Sequence, residues 1–169
     1  MATASSPASL PADCPACALL RACRDEPHPL FVAELASGVL VLHGASAPAG
    51  RLQLVAKHHV PDVLALSDAE REALWRDLDL VVRAVRAALA PLRLNMASPA
   101  DGGSDGHLVW ELVPRAGEDE VEAARPWWEL PADPLDLDTA AELKRRILRG
   151  FLAVSPVRRL APAPVRRRP

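Results

Sequence analysis

The chain has 169 residues, half of them hydrophobic and a quarter charged, enough for one domain with a sizeable core. A formal net charge of −2 gives it no global pull towards nucleic acid or an anionic membrane. No stretch approaches ~18 consecutive apolar residues, so no membrane span is expected, and the N-terminus has neither the basic start nor the apolar run of a signal peptide. A cytoplasmic location is the expectation, and there three cysteines, two of them in a CxxC, favour metal or redox chemistry over a structural disulfide.

Residues 1–12 read as a disordered leader. Cys14-Pro15-Ala16-Cys17 follows, then a short apolar helical turn over 18–23. Phe31 to Leu35 and Val39 to Leu42, separated by Ala36-Ser37-Gly38, read as a hairpin, and the apolar run of the second suits a strand covered on both faces. Leu52 to Ala56 makes a third strand that delivers Lys57-His58-His59-Val60 at its end.

The clearest helix spans Ser67 to Ala90. Ser67 and Glu70 form a capping box, and Leu74, Leu78, Val81, Val82, Val85 and Leu89 repeat at spacings of three and four before Pro91 ends it. Arg93 to Ala97 is a fourth strand, and 98–106 a Gly/Ser/Asp loop. His107 to Val113 is the fifth strand, closed by Pro114. Thr139 with Glu142 predicts a second capping box, opening a helix to about Leu148. The expected fold is α+β, an antiparallel sheet of about five strands with one long helix and a C-terminal helix. The domain is placed at 13–150, with a Pro/Arg-rich tail at 151–169.

Cys14, Cys17, His59 and His107 are the residues that could bind a soft metal. Two thiolates and two imidazoles satisfy tetrahedral zinc, and a CxxC turn sets both sulfurs on one side of the ion. The histidines lie too far along the chain for a zinc finger, yet each sits on or beside a predicted strand. Spacing alone leaves open a solvent-facing CxxC with unrelated histidines, and it does not separate His58 from His59. A thioredoxin-like redox pair fits less well, because no βα unit surrounds the motif. His28 and His43 read as surface or loop residues, and Cys23 as a small buried hydrophobe.

The order CPAC, hairpin, RLQLVAKHHV, LSDAEREALW, RLNMASP, a GGS loop and HLVWELVPR resembles the histidine triad (HIT) superfamily over about 13–115. In that superfamily the pattern is His-φ-His-φ-His-φ-φ, where φ is apolar, and the middle histidine attacks the α-phosphate of a nucleotide ester or anhydride. The resemblance puts the first histidine at His107, the nucleophile position at Val109 and the third position at Glu111. It aligns the family's PK-x-H-V element with Ala56 to Val60, which favours His59 over His58. It implies a structural Zn²⁺ on Cys14, Cys17, His59 and His107. It also implies a homodimer, and a nucleotide or nucleotide-sugar-like ligand contacted by Asn95, Gly103 and Ser104.

The departure is specific. A His-X-His-X-Glu form followed by Pro-Arg resembles part of the galactose-1-phosphate uridylyltransferase branch, so Glu111 is not decay by itself. Val109 is, because nucleophilic catalysis at phosphorus needs a lone pair and an isopropyl group has none. The leading expectation is therefore a HIT-like zinc domain that binds a nucleotide-like ligand or a protein without catalysis. Glu111, acting as a general base in a diverged hydrolase or transferase, is the rival. An adaptor working through the arginines of the tail is a third reading, with nucleic acid a poor fit to the overall charge. Asp101 and Asp105 flank the glycine loop and argue against phosphate there. Trp110 is expected to pack on the long helix, and Trp127 and Trp128 to serve core or interface packing, with covering a base or a dimer seam as the alternative.

Overall fold

A computed structural model describes residues 11–25, 28–45, 49–99, 106–115, 126, 129 and 133–154. Its elements are helix α1 (Pro15–Asp25), strands β1 (Phe31–Glu34), β2 (Gly38–Leu42) and β3 (Leu52–Ala56), helix α2 (Asp68–Leu89), strands β4 (Arg93–Ala97) and β5 (Val109–Arg115), and helix α3 (Leu137–Val154). The five strands form one antiparallel sheet in the order β1-β2-β3-β5-β4. The α+β class, the hairpin, the long helix and the C-terminal helix are as the sequence predicts.

Alternation along the strands divides the sheet into two apolar faces. On one face Leu40, Leu42, Leu52, Leu54 and Leu112 pack against Leu74, Leu78, Val81 and Val85 of α2 and Leu143 and Ile147 of α3. On the other, Val39, Val41 and Val55 pack under Leu20 of α1. Every residue of β2 is buried, which is why its sequence is an unbroken apolar run.

The Ser67–Glu70 capping box closes the α2 N-terminus as expected, and Ala90 ends the helix in the left-handed region at φ 46° just before Pro91. Asp77, buried on α2, accepts 2.7 Å hydrogen bonds from both the backbone N–H and the hydroxyl of Ser37, pinning the β1–β2 turn to the helix. Trp110 does meet α2: its ring lies edge-on to Trp75, with centroids 5.4 Å apart.

Three boundaries differ from the sequence reading. The helix after the CxxC is longer than a turn and begins inside the motif at Pro15, a residue suited to a first helical position. Strand β5 starts at Val109 and runs through Pro114 to Arg115. Pairing with β3 ends at Leu112, so Pro114 sits where β5 has only β4 beside it, opposite Leu94. Helix α3 is capped by Asp136, whose Oδ1 accepts from the Thr139 N–H at 2.8 Å, and not by Thr139. Asp offers a charged acceptor one turn earlier, and Glu142 instead pairs with Arg145 at 2.7 Å. The helix continues to Val154, past Leu148, because Gly150 lets it cross α2 closely and Phe151 still packs on the core.

Candidate metal centre

Three separate parts of the chain deliver the four candidate ligand side chains to one point. Cys14 and Cys17 come from the N-terminus of α1, His59 from the segment after β3, and His107 from the segment before β5. Their ligand atoms all lie within 4.8 Å of one another. Cys17 Sγ is 3.3 Å from His59 Nδ1 and 3.3 Å from His107 Nδ1, Cys14 Sγ is 3.6 Å from His107 Nδ1, and the two Nδ1 atoms are 3.3 Å apart.

These spacings can be compared with zinc chemistry. Bonds of about 2.3 Å to sulfur and about 2.05 Å to nitrogen, at tetrahedral angles, put ligand atoms about 3.5 Å apart for S–N and about 3.3 Å for N–N. The side chains fit such an ion with little adjustment. His107 adds a second mark of a metal ligand: its Nε2–H donates to the Ala56 carbonyl at 2.8 Å, which leaves Nδ1 with its lone pair aimed into the cluster. Burial lowers the pKa of His107 and so favours the neutral, ligating imidazole. Burial, reinforced by the neighbouring Cys14, pushes the Cys17 thiol up to about 11, so metal binding at neutral pH has to release that proton. A tetrahedral ion held by all four would have no open coordination position, the pattern of a structural site.

Of the adjacent histidines, His59 turns inward. His58 is exposed, with Nε2 3.4 Å from Glu70 Oε1. His43 is half-buried, its Nδ1 accepting from the Ala45 N–H, and Cys23, on α1 itself, is only partly buried, packed against the cluster around Leu20.

Beside the cluster opens a cavity of about 630 Å³. Its walls include Pro11, Cys14 and Pro15 from the α1 side, Gln53 from β3, and His107, Val109 and Glu111 from the β5 segment. Val109 and Glu111 therefore face the same space as His107, as their alternation requires. Glu111 is 3% exposed, and both of its oxygens are engaged: Gln53 Nε2 donates to Oε1 at 2.7 Å and Arg51 Nε to Oε2 at 3.0 Å. Neither Arg51 nor Gln53 stood out in the sequence, since nothing local says that β3 will lie beside β5. Asn95 is exposed on β4 opposite Val113 and is not a wall of the cavity. Gly103, Ser104, Trp127, Trp128 and the arginines of 157–169 lie outside the described residues.

Several solved structures with this arrangement of strands and helices are described as histidine triad proteins. A histidine triad protein from Sinorhizobium meliloti matches at a TM-score of 0.63 and 16% identity, over 72% of this chain and 88% of that one. The fold is that of the histidine triad proteins. A hypothetical histidine triad nucleotide-binding protein from Sulfolobus tokodaii matches at 0.65 and 17% identity, over 83% of this chain and 93% of that one. A Zn-bound histidine triad family protein from Mycobacterium smegmatis matches at 0.61 and 18% identity, over 83% and 97%. No family model and no curated protein matches the chain. No helix among the described residues is long and apolar enough to cross a membrane.

Proposed function

We propose that this chain is a HIT-like domain that holds a structural zinc ion and binds a nucleotide-like ligand without turning it over. Val109 carries the reading. It lines the cavity between His107 and Glu111, where the resemblance puts the nucleophile, and it has no lone pair to offer phosphorus. His107, the nearest imidazole in sequence, has Nδ1 turned to the metal ligands and Nε2 on the Ala56 carbonyl, so neither nitrogen faces a substrate.

Glu111 is better suited to holding the floor of the cavity than to proton transfer, because an arginine and a glutamine already occupy its oxygens. The zinc assignment is supported by the ligand spacings and by the Zn-bound structural neighbour, and the ligand class by the neighbour described as nucleotide-binding. The metal would hold Cys14, Cys17, His59 and His107 together and fix α1 to the sheet. Free thiols in a CxxC suit a reducing, cytoplasmic setting, and a homodimer follows from the same resemblance.

The test is metal analysis of the purified chain together with calorimetric titration of AMP and UMP. The reading expects one zinc per chain, saturable binding and unchanged nucleotide after incubation. Absence of zinc, or release of product at an enzymatic rate, would refute it.

A further inference from the structure

The four candidate ligands are not equivalent. Cys17 Sγ, His59 Nδ1 and His107 Nδ1 form a triangle with every side 3.3 Å. Cys17 is fully buried and shares the inward face of α1 with Leu20. Cys14 stands apart from this triangle. It precedes the first residue of α1, is only partly buried, and its Sγ lies 3.6 Å from His107 Nδ1. It is also a wall of the cavity, whereas Cys17 is not among the described residues that line it.

The two sulfurs would therefore leave a metal at very different cost. A Cys17 thiolate set free would be an unpaired charge in a space closed to water. A Cys14 thiolate set free keeps the N–H of Cys17, which donates to its sulfur at 3.5 Å, and meets water on the cavity side. Three protein ligands are enough to hold zinc, with the fourth position then open to a small molecule. Here that position would open into a cavity of about 630 Å³, beside His59 and His107.

We infer that Cys14 is the exchangeable ligand of this site, and that a thiol entering the cavity takes its place on the metal. A sulfur donor suits the position, because a cage of thiolate and imidazole selects soft ligands. The exchange balances. The bond from Cys14 Sγ to the ion breaks, the incoming sulfur makes the equivalent bond, and its proton passes to Cys14. This rests on the zinc reading, and it names the one ligand at which the site opens.

Two measurements on the full chain test it. In competition with a chromophoric chelator, Cys14→Ala keeps one zinc per chain and loses about tenfold in affinity, while Cys17→Ala loses about a thousandfold. In the cobalt-substituted protein, Cys14→Ala loses part of the thiolate charge-transfer absorption, and 2-mercaptoethanol restores it. The cobalt measurement needs only the wild type and Cys14→Ala, so it decides the matter even where Cys17→Ala does not fold. Equal losses of affinity for the two cysteines, or a Cys14→Ala spectrum that 2-mercaptoethanol does not change, overturn the inference and leave the zinc reading standing. A wild type that binds neither metal refutes both.

Discussion

Gln53 stands directly across from Glu111 in the β3–β5 ladder and donates to its Oε1 at 2.7 Å. Two residues earlier on the same face, Arg51 takes the other oxygen at 3.0 Å. The third position of the triad pattern is thus a buried carboxylate tied by two strand neighbours.

That tie makes Arg51 a sensitive position. Arg51→Met leaves a buried carboxylate without its counter-charge, which costs about 3 kcal/mol of folding stability. The double replacement Arg51→Met/Glu111→Leu removes both charges and recovers most of the loss. Urea unfolding of the two variants measures this, and an Arg51→Met chain as stable as the wild type would deny that the pair is buried in solution.

Helix crossing sets a second prediction. A Cβ at Gly150 would collide with the Ala84 carbonyl oxygen, a backbone atom that can yield only by moving α2. Gly150→Ala therefore lowers stability by about 2 kcal/mol, even though alanine favours helix over glycine by about 1 kcal/mol. Thermal unfolding reads the sign directly, and a stabilised variant would mean that the two helices sit further apart.

The pH dependence of stability should carry a contribution from His43. Burial, and then Arg51, lower its pKa from the ordinary 6.5, with Glu111 opposing. As pH falls below 6.5 the unfolded chain takes up the proton first, so this stabilisation is complete above that pH and is lost as pH approaches the lower folded value. Protonation would also remove the acceptor that His43 Nδ1 offers to the Ala45 N–H. Zinc-loaded His43→Gln should therefore lose less stability than wild type between neutral and mildly acidic pH. Parallel curves would remove His43 from the account.

Metal removal should act first on α1. That helix rests on the sheet through the small cluster around Leu20, and Cys14 and Cys17 at its N-terminal end meet His59 and His107. Chelation should speed hydrogen exchange in Pro15–Asp25 by about tenfold or more, the equivalent of about 1.4 kcal/mol of local stability, while β2 stays protected. Cys23→Ser, which alters packing without touching the metal site, should respond to chelation as the wild type does. Unchanged exchange in α1 would separate the helix from the metal.

The sequence made the frame legible where local signals were strong. The Ser67–Glu70 box, the stripe of α2 and the apolar run of β2 each specify their element through nearby residues. The four candidate metal ligands were readable as a set, but their meeting depends on the order β3-β5 and on α1 lying against the sheet, which no local pattern encodes. The ties of Glu111 to Arg51 and Gln53 and of Asp77 to Ser37 were invisible for the same reason. Pro114 misled because a proline stops a strand only where a neighbour needs its N–H, and β3 has already ended there.

The central claim is that Val109 leaves a metal-held HIT fold without its nucleophile. Nucleotide hydrolysis by the zinc-loaded wild type, run beside Val109→His, tests it most directly. The account predicts no wild-type turnover above the uncatalysed rate, with any activity confined to Val109→His. Wild-type turnover as fast as that of Val109→His would contradict it.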